Sequence, residues 1–239
     1  MSKKYQYHHS PSIVSKALLM LLVIAGGGFG IWYVYQANST NNSIKILPST
    51  TPLNVFGTGI ITYTDGTQNT FQMPNNPQSL SIIDPSNGKI VTSVEFDISV
   101  SVSYNYGTLT SWSVSLPYQT VIAPCLGLIP YMNNALYKSG LQTLTRSGST
   151  FASGSLVSVA SFYIKASDLQ SLSSNLQPNT TYMWAVIFPR AITMTLNFQD
   201  GSIVTENNAA NNNCPWWQFQ YQGAGSVTSL SISWLPVPS

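Results

Sequence analysis

Few residues in this chain have the types and spacing to do chemistry. The only histidines, His8 and His9, are adjacent and close to the N-terminus. The rest of the chain therefore has no imidazole for a Ser–His or Cys–His pair, for a catalytic zinc, or for a blue-copper centre. His8-His9 could hold a metal weakly, and a solvated tail explains them as well. Glu95 and Asp97 are two apart in a strand-like run, so they share one face. A carboxylate pair can serve glycoside hydrolysis or bind a cation. The same alternation, however, turns both away from the apolar face, toward solvent or a partner. No glycine-rich phosphate loop links a strand to a helix, so nucleotide binding has no support. The expectation is a protein without catalytic residues, metal or cofactor.

Other residues suggest structure and contact. Cys125 and Cys214 are the only cysteines, each next to a proline. In an extracytoplasmic β domain two cysteines most often pair, so a disulfide is expected. Asn38, Asn41 and Asn179 begin Asn-x-Ser/Thr sequons, which makes the chain a candidate glycoprotein. At Asn179, turn geometry offers an independent reason for asparagine. Trp216 and Trp217 follow an Asn-rich loop. Trp217 is in phase with Phe219 and Tyr221, which sends it inward and leaves Trp216 as a possible contact residue.

Charge is scarce. Asp, Glu, Lys and Arg make up 7% of the 239 residues, against about 25% in ordinary soluble domains. Aromatics make up 12%, enough apolar surface to fold an ordered domain. From Gln36 onward there are six Lys/Arg and seven Asp/Glu, so the net charge runs from −1 to only +6 when every carboxylate is protonated. Such a surface tolerates strong acid. It also lacks the basic stripe that nucleic acid requires.

Residues 17–35, ALLMLLVIAGGGFGIWYVY, carry no charge. As a helix they span about 28 Å, close to the ~30 Å hydrocarbon core. Trp32, Tyr33 and Tyr35 supply an aromatic belt, and Lys3, Lys4 and Lys16 place the N-terminus inside and the remainder outside. A retained single-pass anchor is expected. A pilin-type leader cut between Lys16 and Ala17 is the rival reading. Gly26 and Gly30 form a GxxxG pair suited to helix–helix packing in lipid. The organisation is then a 1–16 interior tail, a 17–35 transmembrane helix, a 36–53 stalk and a 54–239 extracytoplasmic β domain.

Beyond the stalk the pattern is strand after strand. Val94, Phe96, Ile98, Val100, Val102, Tyr104 and Tyr106 alternate with polar residues, as do Ile192 to Phe198, Trp217 to Tyr221 and Leu230 to Trp234. Asp65-Gly66 and Asp200-Gly201 mark hairpins within a repeated Y/F-x-D-G-[ST] pattern. Two helices are expected. One lies within Pro130 to Leu144, and the other runs from Ser167 to Leu176 with Ser167 as its cap. The fold class is mainly β: an N-terminal transmembrane helix followed by an antiparallel β-sandwich or jelly-roll-like domain.

Residues 176–186, LQPNTTYMWAV, resemble the L-x-P-x-T-x-Y-x-x-x-V run of fibronectin type III and related sandwiches. That resemblance implies a tyrosine corner at Tyr182. As a whole the chain resembles surface proteins of acidophilic archaea and their viruses. It shares their uncharged Asn/Ser/Thr-rich β domain, TYTDGT-type hairpin and N-terminal anchor. The resemblance implies a non-enzymatic virion or envelope structural protein, oligomeric, with the membrane and other structural proteins such as a capsid protein as partners. An accessory subunit of a respiratory-type membrane complex and a glycan-binding pilus or adhesion component are the alternatives.

Overall fold

The computed structural model describes residues 45–48, 52–73, 80–86, 88–126, 129–130, 132–208 and 213–236. The tail, the expected anchor at 17–35 with Gly26 and Gly30, His8, His9, Asn38 and Asn41 lie outside the described residues. No helix among the described residues is long and apolar enough to cross a membrane.

The chain runs through β1 (Lys45–Leu47), β2 (Asn54–Tyr63), β3 (Gln68–Met73), β4 (Leu80–Ile83), β5 (Val91–Ser101) and β6 (Leu109–Leu126). After β7 (Ile129–Pro130), β8 (Tyr137–Lys138), β9 (Gln142–Gly148) and β10 (Val157–Lys165) comes α1 (Ala166–Leu172), the one α-helix among the described residues. The chain continues with β11 (Thr180–Ile187), β12 (Thr193–Phe198), β13 (Ser202–Asn207), β14 (Asn213–Gly223) and β15 (Ser226–Pro236). The protein is mainly β, in two sheets. The smaller has the order β10-β5-β2-β3, and the larger β1-β13-β12-β6-β11-β14-β15-β4.

The larger sheet is organised on β6. One edge of β6 pairs with β12 over its first half and β11 over its second. The other edge pairs with β9 and then β8 and β7. Every pairing in both sheets is antiparallel except β1 with β13.

Period-2 alternation decides which face is buried. On β5, Val94, Phe96, Ile98 and Val100 are fully buried, and Glu95 and Asp97 point the other way. Facing residues of the larger sheet complete one core. Phe96 stacks on Trp184 at 5.1 Å, and Phe162 meets Tyr118 edge-on at 4.8 Å. The sheets come close where β2 carries glycine. A Cβ on Gly57 would sit 2.7 Å from the Trp234 ring, and one on Gly59 2.7 Å from Ile232. A smaller cluster of Val121, Ala123, Cys125, Met183, Ala185 and Trp216 lies on the opposite face of the larger sheet, with Met132 and Ala135 packed against it.

Both Asp-Gly hairpins form as the sequence indicates, with the same chemistry. Gly66 and Gly201 each take φ +80°, and each donates its N–H at 3.0 Å to the carbonyl three residues back, Tyr63 and Phe198. The aspartates accept from the backbone N–H groups of Thr67 and Ser202, both at 3.0 Å. One such turn lies in each sheet.

Several expectations are corrected. Residues 130–144 form no α-helix. They become β7, a short 3-10 turn at Met132–Asn134, β8 and the start of β9, because the outer edge of β6 needs hydrogen-bond partners. In α1 the N-cap is Lys165, not Ser167, and makes no side-chain cap bond. The helix ends at Leu172, short of the expected Leu176, and buries Ala166 and Leu169. The stretch read as stalk contributes β1 to the sheet, and Leu53 is buried.

The Cys125–Cys214 disulfide is not formed. Neither cysteine is in a disulfide, and both are buried. Extending the registers by one residue on β6 and two on β14 sets Cys125 beside Thr181 and Cys214 beside Ile187 on β11. Six residues of strand separate them by about 20 Å, well beyond disulfide reach.

Two outcomes follow. Gly57→Ala should overpack against Trp234 and lower stability by about 1–3 kcal/mol, read as a lower denaturant midpoint with unchanged slope. Reduced and unreduced chains should migrate alike, and a thiol reagent should count two thiols only after unfolding. Burial pushes Cys125 up to about 12 and raises Cys214 further, so neither is a thiolate at neutral pH.

Candidate functional site

A connected polar arrangement lies at the end of the sheets marked by the Asp65-Gly66 turn. Tyr63 closes β2, Asn69 lies on β3, Asp84 directly follows β4, and Ser229 lies on β15. The sheet registers bring the Tyr63–Asn69 hairpin pair together with Asp84 and with Ser229, which is far away in sequence. The Tyr63 hydroxyl donates to Asp84 and is 2.6 Å from both carboxylate oxygens. Asn69 Nδ2 lies 2.9 Å from Asp84 Oδ1 and 2.9 Å from the Tyr63 oxygen. The backbone N–H of Ser86 donates to Asp84 at 3.1 Å, and the backbone N–H of Asp84 donates to the Leu230 carbonyl at 2.8 Å. The Ser229 hydroxyl serves both Asp84 and the Trp217 indole, whose Nε1–H donates to it at 3.0 Å.

The electrostatics follow from this geometry. Burial works to raise the Asp84 pKa, but hydrogen bonds from Tyr63, Ser229 and Asn69 outweigh it and hold the carboxyl below its usual range. Burial and then the Asp84 carboxylate push the Tyr63 hydroxyl well above its usual value. Lys89 covers the solvent side. Its ammonium lies 2.7 Å from Asp65 Oδ2, 3.1 Å from the Thr67 hydroxyl and 5.6 Å from the Tyr63 ring centre. The Lys89–Asp65 pair is nearly half exposed, so solvent screens it and its stabilising effect is small.

Every strong acceptor position on Asp84 already receives a donor, and Tyr63 stays protonated. The arrangement therefore offers neither a base nor a nucleophile. It is a clasp that ties the β2–β3 hairpin of the smaller sheet to the β4–β15 edge of the larger. Among the described residues, no three His, Cys, Asp or Glu side chains converge as a metal site.

The sequence-derived candidates are not gathered into a single site. Glu95 and Asp97 sit on the outer face of the smaller sheet, where Ser161 donates to Glu95 and Tyr163 lies opposite it in register. Trp216 is not an exposed contact residue. It is 7% exposed and belongs to the smaller buried cluster. Trp217 faces the main core as expected. Tyr182 does make the corner: it is buried, and its hydroxyl accepts the backbone N–H of Gln177 at 2.8 Å. Asn179 is exposed with φ 59°, a left-handed turn position that asparagine tolerates. The clasp has one local signature, Asp84-Pro85-Ser86, an Asx turn. Its partners Tyr63 and Asn69 are set by strand register.

The sign of the Asp84 shift defines a pH test. Its folded pKa is below the ordinary aspartate value, so its stabilisation is complete above about pH 4 and is lost as pH falls through the folded pKa. Denaturant midpoints measured from neutral into strong acid should hold level and then drop. Asp84→Asn should lower neutral stability by about 1–3 kcal/mol and flatten that acid drop.

Comparison with known protein families, curated proteins and solved structures finds no match to this chain.

Proposed function

We propose that this chain is a non-enzymatic structural protein of a virion or cell envelope. Residues 17–35 hold it in the membrane, and its two sheets form a β-sandwich that makes lateral protein contacts outside. The observation that carries this reading is the character of the strand edges. β9 lies along the outer edge of β6 with five of its seven residues exposed, and Arg146 is its one charge. β10 ends the smaller sheet, with Tyr163 more than half exposed on its outer face. Edge strands so lightly charged favour pairing and side-by-side packing rather than solitude.

The scarcity of charge supports the same reading. Contacts made by Ser, Thr, Asn, Tyr and backbone groups do not depend on carboxylates remaining ionised, so they persist in acid. The exposed Asn179 offers a glycan position on the outer domain, consistent with a surface-facing protein.

Mass spectrometry and cross-linking of the native particle or envelope are expected to recover the chain with residues 17–35 retained. β9 or β10 should be cross-linked to another copy or to a second structural protein. A mature chain starting at Ala17 in filaments, or stoichiometric recovery with redox subunits alone, overturns the proposal.

A further inference from the structure

The domain has two distinct ends. β1 begins with Lys45 beside Ser202, just past the Asp200-Gly201 turn, and runs parallel to β13 away from it. Two other segments share that end. The Gln199 N–H donates to the Thr108 carbonyl at 2.9 Å, which brings in the turn after β5. The Tyr104 N–H donates to Ser153 Oγ at 2.8 Å, and the Gly154 N–H to the Val102 carbonyl at 2.9 Å, which adds the loop before β10. Rings of Tyr104, Tyr106, Phe151 and Phe198 pack together there. The Tyr106 hydroxyl donates to the Pro48 carbonyl at 3.0 Å, fixing the chain just after β1. The Asp84 clasp occupies the opposite end, since β2 runs from Asn54, opposite Ser101, to Tyr63, opposite Val91.

We infer that the end where the chain joins the domain at Lys45 lies against lipid headgroups, seated by Ile46 and Leu156, with the Asp84 clasp facing away. This rests on the membrane-anchored reading above. Nine residues separate Tyr35 from Lys45, and fully extended they reach at most about 32 Å. The 11 residues of β5 alone extend about 36 Å. Bringing the clasp end to the bilayer would stretch the tether nearly straight along the whole domain. Keeping the Lys45 end down leaves it slack. That end also offers exposed aliphatic side chains, Leu156 at 61% and Ile46 at 40%. Ile83 is more exposed, at 80%, but it lies beside the clasp, away from the tether.

The test uses the full chain in phosphatidylcholine–phosphatidylglycerol vesicles containing a headgroup-quencher lipid. A fluorophore is placed through Ala152→Cys at the Lys45 end or Ser174→Cys at the clasp end; the native thiols are buried. Quenching several-fold stronger at 152 than at 174 is expected. Adding Ile46→Ser with Leu156→Ser should reduce that difference. Equal quenching at both positions in chain that floats with the vesicles overturns the orientation and leaves the anchor standing. Chain that does not float overturns both.

Discussion

Both edges of β6 carry ladder partners along most of its length, and the larger sheet depends on that double pairing. An 18-residue strand is long, and every polar backbone group it buries needs a partner. β11 and β12 follow one edge in succession, and β8 and β9 follow the other. Pro117, which has no N–H to give, falls where the ladder passes from β11 to β12, opposite the unpaired residues 188–192. The second buried cluster follows from the same strand. With both edges occupied, Val121, Ala123 and Cys125 project from the outer face, and the chain between β7 and β8 packs over them.

Apolar packing does most of the work of holding this fold. The two-sheet core is rich in Trp, Phe and Tyr whose rings meet across the sheets, and the closest approach depends on Gly57 and Gly59 having no side chain. Ion pairing contributes little: Lys89–Asp65 is exposed and screened. Beside the Asp84 clasp and the aspartate turns, several polar fastenings are neutral, such as the Tyr182 hydroxyl accepting the Gln177 N–H and the Ser231 hydroxyl on Gln218 at 3.0 Å. These bonds do not titrate in the range where carboxylates do.

The features legible in the sequence are local. Alternation at Val94–Val100 and at Trp217–Tyr221 assigns both strand and buried face, because a two-residue period leaves little else possible. Asp65-Gly66 and Asp200-Gly201 are turns for a reason internal to four residues. Tyr182 follows from an eleven-residue run. Apart from the bounds of α1, the failures concern partners distant in the chain. Pro130 suits the first turn of a helix, but the outer edge of β6 draws the chain up to Leu144 into short strands. Trp216 alternates outward correctly, yet the outward face at that point is covered by chain around Met132. Cysteine count gives no register, so nothing local shows that β11 separates Cys125 from Cys214. The Asp84 clasp is hidden for the same reason, since Tyr63 lies 21 residues away and meets it only through pairing of both sheets.

Protonation acts on two separate levels of the structure. The chain has seven Asp and Glu in all, so protonating them changes the repulsion little. The junction between the sheets is different. Asp84 is buried, and its four donors suit a carboxylate rather than a carboxylic acid, so a proton there removes an acceptor. The same four donors depress its pKa, which moves that loss further into acid. At the clasp, then, protonation costs a buried acceptor, and the surrounding donors delay it. Protonation of the clasp is governed by the hydrogen bonds around one residue rather than by the overall charge.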